Sequence, residues 1–152
     1  MAIRYLLDTN IISYLTDPNS PYRERVKAHL MALSSSDTVS VSIITLYELS
    51  YGLHSYRNTP ESVALFRKGI SFIETYLDVL PLHIREVDIF GDLKARYKEA
   101  TGIHNRANKK NDLDFLIAAT AISHDAVLIS HDTIFERLFG IVPQLRHQDW
   151  LG

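Results

Sequence analysis

Between Ile3 and Ile12 the chain reads Ile-Arg-Tyr-Leu-Leu-Asp-Thr-Asn-Ile-Ile. An apolar run this short predicts a buried strand. It stops on a carboxylate, and a hydroxyl and an amide follow at once. In open α/β sheets, ligands gather just beyond the C-terminal ends of strands. Asp8 therefore stands where a buried strand delivers a charge to a site. Asp is also a preferred helix cap, and Ile11 opens a run that a helix would use. What decides between cap and site is whether other carboxylates are sent to the same place.

The rest of the chain alternates in the same way. Short helices are predicted over Ile11 to Leu15 and Tyr22 to Leu33, with Val26, Leu30 and Leu33 at helical spacing. Thr38 to Ser42 alternates as a strand, and Ile43 to His54 is helical. Tyr56-Arg57-Asn58 connects to a helix capped by Thr59, with Pro60 at its first position, running to Tyr76. Asp78 to Leu82 is a short strand whose Pro81 suggests a terminus or an edge. A long amphipathic helix spans His83 to Thr101, with Gly102 fitting its C-terminal cap. Ile103 to Asn111 reads as a polar, basic loop, and Leu113 to His124 as a helix. Ala126 to Ser130 is an apolar, central strand, followed by a short helix from Ile134 to Leu138. Gln144 to His147 fits an edge strand with Trp150 packed beneath it. Strands that alternate with helices predict a three-layer α/β/α sandwich around a parallel sheet. Right-handed crossovers bring the C-terminal strand ends, and with them Asp8 and Asp132, to one edge.

The 152 residues suit one ordinary domain, 1–152. A formal net charge of −2 argues against a generic nucleic-acid coat protein, but allows a nuclease with a local basic strip. With no cysteine, thiol catalysis and cysteine-ligated zinc or iron–sulfur sites are excluded. No cationic leader with a long apolar stretch and no membrane span is visible, so a cytoplasmic protein is expected.

Four acids sit in apolar surroundings that a surface acid would avoid. Asp8 follows Leu6-Leu7, and Asp132 follows the run Val127 to Ile129. Glu48 lies within Ile44-Thr45-Leu46-Tyr47-Glu48-Leu49, and Asp114 opens Asp-Phe-Leu-Ile-Ala-Ala. Each has a blander role open to it. Thr45 and Glu48 have capping-box spacing, although the apolar pattern already begins at Ile43. Asp114 suits a helix start, although Asn111 and Asp112 already offer a cap there. Asp132 suits the cap of the helix at Ile134. If the four converge, two unit charges ~4 Å apart repel by roughly 4 kcal/mol at an effective dielectric of about 20. Such acids must protonate, spread apart or bind a cation. An all-oxygen set favours Mg²⁺ or Mn²⁺ over zinc, which suits phosphoryl chemistry.

These residues carry a resemblance over nearly the full length. It rests on Leu7-Asp8-Thr9-Asn10, Ser42 through Glu48-Leu49-Ser50-Tyr51-Gly52, Asp114 through Ala121, Ser130-His131-Asp132 with Phe135, and the final Gln148-Asp149-Trp150. In this the chain resembles PIN-domain ribonucleases, specifically the VapC-type toxins of toxin–antitoxin pairs. The resemblance implies a PIN-like α/β/α fold and Mg²⁺- or Mn²⁺-dependent endonucleolytic cleavage of RNA. It implies Asp8, Glu48, Asp114 and Asp132 as catalytic, metal-binding acids, Thr9 orienting the first Asp, Ser130 as a supporting hydroxyl, and Asn10 contacting water or substrate. It also implies a VapB-like antitoxin that places a basic side chain in the acidic pocket, and a homodimer. The helices Pro60–Tyr76 and Ile11–Leu15 are candidates for that dimer contact. One departure is Leu113 directly before Asp114, where many relatives have Asn; Asn111 and Asp112 come earlier, so Asp112 is a second candidate near the metal.

From Lys94 to Lys110 stand Lys94, Arg96, Lys98, Arg106, Lys109 and Lys110 against Glu99 alone. This strip is placed to hold RNA phosphates, or it is a solvated face. Tyr47, Tyr51 and Tyr56 suit base stacking, or the partly buried packing more usual at helical spacing. His131 beside Asp132 reads as a surface residue. Two rival functions remain open on the residues alone: a metal-dependent phosphohydrolase of another α/β family, and a PIN-like binding module without turnover. Haloacid-dehalogenase-like chemistry wants a second Asp where Asn10 stands.

Overall fold

The computed structural model describes residues 1–55 and 57–152; Tyr56 lies outside the described residues, and with it part of the connector and one expected stacking residue. Five strands among the described residues, β1 (Arg4–Leu7), β2 (Thr38–Ser42), β3 (Asp78–Leu80), β4 (Val127–Ile129) and β5 (Arg146–Gln148), form one sheet. Its order is β3-β2-β1-β4-β5, and every pairing is parallel. The helices are α1 (Thr9–Thr16), α2 (Arg23–Met31), α3 (Ile43–His54), α4 (Pro60–Tyr76), α5 (Arg85–Thr101), α6 (Asn105–Lys109), α7 (Asp112–Ser123) and α8 (Thr133–Ile141).

The two-residue period of the strands divides the core. Leu6 and Leu128 point to one face and pack with Leu93, Phe115, Ala118, Phe135 and Leu138 of α5, α7 and α8. Tyr5, Leu7, Val127 and Ile129 point to the other and pack with Ile11, Ile12, Val26 and Ile73 of α1, α2 and α4. The result is the expected α/β/α sandwich. Each fully buried Leu or Ile stabilises it by roughly 1.5–3 kcal/mol.

β2 and β3 lie on one side of β1, and β4 and β5 on the other. The chain therefore changes winding direction between β1 and β4, which opens a crevice outside their C-terminal ends. Asp8 and Asp132 follow those two strands.

Some local expectations hold and others need correction. The middle strand is β1; β4 is its interior neighbour. β3 is an edge strand with Pro81 just beyond it, where a missing N–H costs nothing. The basic loop contains the one-turn helix α6, docked by the buried Asn108, whose amide donates to the Lys94 carbonyl at 3.4 Å. Five residues are too few for a periodic apolar stripe to reveal. α8 begins at Thr133 and continues past Leu138 to Ile141, with Gly140 inside its last turn. Gly102 caps α5 at a φ of +69°, in the left-handed region that glycine takes without strain. Trp150 is buried under the sheet's end, its ring stacked on His29 at 4.9 Å.

Candidate active site

Asp8 is the buried centre of the site, at 4% exposure. Its backbone N–H still extends the sheet, donating to the Ile129 carbonyl at 3.0 Å. Its Oδ1 accepts the Thr9 N–H at 2.7 Å, so it also caps α1. Its Oδ2 accepts the Ser130 hydroxyl at 3.3 Å. Ser130, itself fully buried, accepts the Asp132 N–H at 2.9 Å. Asp132 in turn caps α8, its Oδ1 accepting from the Ile134 N–H at 3.1 Å. For Asp8 and Asp132, cap and site are thus compatible roles of one side chain.

Glu48 arrives from α3. Ser42 caps this helix, its hydroxyl oxygen accepting from the Ile44 N–H at 3.1 Å. Thr45 therefore sits inside the first turn, and the Thr45–Glu48 capping box does not form. Instead the Thr9 hydroxyl donates to Glu48 Oε1 at 2.6 Å and lies 2.9 Å from the Thr45 hydroxyl. Here the expectation for Thr9 changes: its backbone holds Asp8, and its hydroxyl holds Glu48. Asn10 is exposed at the start of α1.

Asp114 projects from the first turn of α7 and is partly buried. Neither neighbour caps that helix as expected. Asn111 makes no side-chain cap bond, and Asp112 accepts from Lys94 Nζ at 2.7 Å. Asp112 is not among the groups that perturb Asp8 or Asp114.

Repulsive coupling shows that the four acids lie within electrostatic reach of one another. Burial pushes the Asp8 carboxyl up to about 7; the Thr9 N–H opposes this, and Asp114, Glu48 and Asp132 add to it. Asp114 is likewise pushed up to about 7, by burial and then by Asp132 and Glu48. Both therefore titrate near neutrality, far from the usual carboxylate range. Among the described residues, no three His, Asp or Glu side chains are drawn into a ready metal cage. The acids share a poorly solvated crevice in which they repel one another.

Three neighbours escaped the sequence. Tyr14 of α1 lies near enough that its phenol is raised by burial, then by Tyr22, Asp8 and Asp132. Thr45 gave one signal, its spacing of three from Glu48, which suggested only a cap. His131 is not a free surface residue. Its Nδ1 lies 2.9 Å from Asp149 Oδ2, and its ring packs on Tyr22 at 5.5 Å. Burial would raise the Asp149 carboxyl, but hydrogen bonds from His131 and the Leu151 N–H hold it below its ordinary value.

The basic strip is less basic than the count suggested. Lys94 is paired with Asp112 and Arg96 with Asp92, while Lys98 donates to Asn105. Arg106, Lys109 and Lys110, around α6, are exposed and have no ion-pair partner among the described residues. Tyr47 and Tyr51 are 64% and 79% exposed, so the packing reading fails for both.

Comparison with known proteins agrees with this geometry. A family model described as PIN domain matches residues 5–140. Ribonuclease VapC1 of Haemophilus influenzae (strain ATCC 51907 / DSM 11121 / KW20 / Rd) is 30% identical over 146 residues, 96% of this chain and 97% of that protein. Ribonuclease VapC2 of Rickettsia felis is 24% identical over 148 residues, 96% of this chain and 97% of that protein. Among solved structures, VapBC-1 from nontypeable Haemophilus influenzae is similar at a TM-score of 0.71 and 30% identity, over 99% of this chain and 100% of that one. VapBC2 from Rickettsia felis, bound to a DNA fragment from its promoter, has a TM-score of 0.72 at 24% identity, over 97% and 99% of the two chains. A sheet that switches direction beside Asp8, acids delivered by β1, α3, α7 and β4, and a family match across most of the length lead to one conclusion: the chain belongs to the PIN-domain family, in its VapC group.

Proposed function

We propose that this chain is a divalent-metal-dependent endoribonuclease of the toxin–antitoxin type, in which Asp8, Glu48, Asp114 and Asp132 hold Mg²⁺ or Mn²⁺. The observation that carries the reading is Asp8: a buried carboxyl raised to about 7 by burial and by three further acids in reach. A divalent cation relieves that repulsion without protonating the site. The donor set fits such an ion, because carboxylate oxygens without thiolate or imidazole suit Mg²⁺ and Mn²⁺. When bound, the ion supplies phosphate polarisation and a water of lowered pKa.

The chain's own residues do the rest. The Thr9 N–H and Ser130 hydroxyl fix Asp8, and the Thr9 hydroxyl fixes Glu48. Asn10, exposed at the start of α1, contacts water or substrate. Arg106, Lys109 and Lys110 bind RNA phosphates, which positions the strand without reading its sequence. The substrate is a structured cellular RNA, tRNA or rRNA, whose cleavage inhibits translation. The relatives named Ribonuclease VapC support RNA as substrate, and the VapBC assemblies support a VapB-like antitoxin as partner. An antitoxin guanidinium is suited to the acid pocket, where it offsets the same repulsion. The faces of α1 and α4 are candidates for self-association. No helix among the described residues is long and apolar enough to cross a membrane.

The test is incubation of purified protein with tRNA and rRNA in Mg²⁺, Mn²⁺ or chelator, followed by sequencing of the RNA ends. Discrete fragments that need the metal and vanish in Asp8→Asn are expected. Phosphomonoester hydrolysis without RNA cleavage, or metal binding without any product, overturns the reading.

A further inference from the structure

Thr45 lies within the Ser42–Gly52 stretch that carries Glu48, where it has no role assigned beyond a possible cap, yet it is fully buried and ends within hydrogen-bond reach of the site. Three other helical threonines behave differently. Thr16, Thr101 and Thr120 each donate to the carbonyl four residues back, at 2.9, 2.7 and 2.8 Å. Thr45 stands in the first turn of α3, where the carbonyl four residues back belongs to β2. Its hydroxyl crosses to α1 instead and meets Thr9 at 2.9 Å.

The direction of that bond follows from proton counting. A threonine hydroxyl carries one hydrogen. Thr9 spends its hydrogen on Glu48 Oε1 at 2.6 Å. The hydrogen between Thr9 and Thr45 must therefore come from Thr45. The chain of donation runs from Thr45 to Thr9 to Glu48. It occupies one carboxylate oxygen of Glu48 and leaves Oε2 with no hydrogen-bond partner among the described residues.

We propose that Thr45 is a positioning residue: by donating to Thr9 it fixes the Thr9 hydroxyl on Glu48 and so presents a single Glu48 oxygen to the crevice. The relay is closed within α1 and α3, since Thr45 and Glu48 share one side of α3 at a spacing of three. Groups that orient a ligand from behind typically change metal affinity by about 10- to 100-fold when removed. The inference rests on the metal-binding reading for its size, but not for its geometry.

The test compares Thr45→Val, which keeps the shape and loses the hydroxyl, with Thr45→Ser, Thr9→Val and the double variant Thr9→Val/Thr45→Val. Two readouts are taken: Mn²⁺ affinity by calorimetry, and the Glu48 rotamer in crystal structures. In Thr45→Val, Mn²⁺ affinity falls about tenfold or more while the melting temperature holds, and Glu48 leaves its single orientation. Thr45→Ser restores both. The double variant is no weaker than Thr9→Val alone, because both substitutions break one relay. Unchanged affinity and an unchanged Glu48 rotamer in Thr45→Val overturn the relay, as do additive losses in the double variant. If the wild type binds no Mn²⁺, the proposed function fails and the Glu48 rotamer alone decides the relay. If Mn²⁺ affinity follows the Thr45 series but RNA is never cut, the relay stands and the ribonuclease reading fails.

Discussion

Thr9 is the neighbour of Asp8 in sequence, yet its hydroxyl donates at 2.6 Å to Glu48, 39 positions away. One residue thus ties the first strand's carboxylate, through its backbone, to the α3 carboxylate, through its side chain. The acids are fixed to one another by such local bonds, while their charges push them apart.

The contribution of Asp8 to stability without metal falls as pH rises. The Asp8 carboxyl moves from an ordinary 3.8 in the unfolded chain to about 7 in the fold. Between those values the folded state binds more protons than the unfolded state, so the stabilising contribution is complete below about pH 4 and lost as pH passes 7. Thermal unfolding in chelator should give a lower melting temperature at pH 8 than at pH 5. Added Mg²⁺ or Mn²⁺ should reduce the difference, and a pH dependence between 5 and 8 that is unchanged in Asp8→Asn contradicts the assignment.

Asp8→Asn should keep the fold and abolish cleavage. Asn is as good a helix cap as Asp, and it removes the charge that the crevice resists. At pH 8 in chelator the variant should melt higher than the wild type. A variant that unfolds, or one that still cuts RNA, returns Asp8 to a capping role alone.

Ser130→Ala removes a buried hydroxyl that donates to Asp8 and accepts from the Asp132 N–H. Leaving these buried groups unpaired costs about 1–3 kcal/mol. Denaturant unfolding should show that loss, and cleavage should fall with it. A change below about 0.5 kcal/mol would mean that the bridge contributes little.

Replacing Arg106, Lys109 and Lys110 by Ala should weaken RNA binding regardless of sequence. The salt dependence of binding should flatten by up to about three phosphate contacts, with melting temperature unchanged. Filter binding at several salt concentrations reads both slope and affinity. An unchanged slope places the RNA elsewhere.

Much of this arrangement was legible in the chain. The strand runs Tyr5–Leu7 and Val127–Ile129 end in Asp8 and Asp132 because a two-residue period and a buried sheet leave few other arrangements. Glu48 and Asp114 stood out because apolar helices do not carry acids without reason. What stayed hidden depends on side chains meeting across the fold. The hydroxyl of Thr9 turns to α3, Lys94 turns to Asp112, and His131 locks on Asp149. None of these pairs has a local spacing rule, so each required the packed structure. The exposure of Tyr47 and Tyr51 was equally hidden, since helical spacing places them on a face without saying what covers it.

The most direct test of the central claim is calorimetric titration of Mn²⁺ into the protein at pH 6, in buffers of different ionisation enthalpy. Asp8 and Asp114, each raised to about 7, hold protons at that pH and must release them to a cation. The account predicts binding with proton release, and less release in Asp8→Asn. Absence of binding, or binding with no dependence on the buffer, contradicts it.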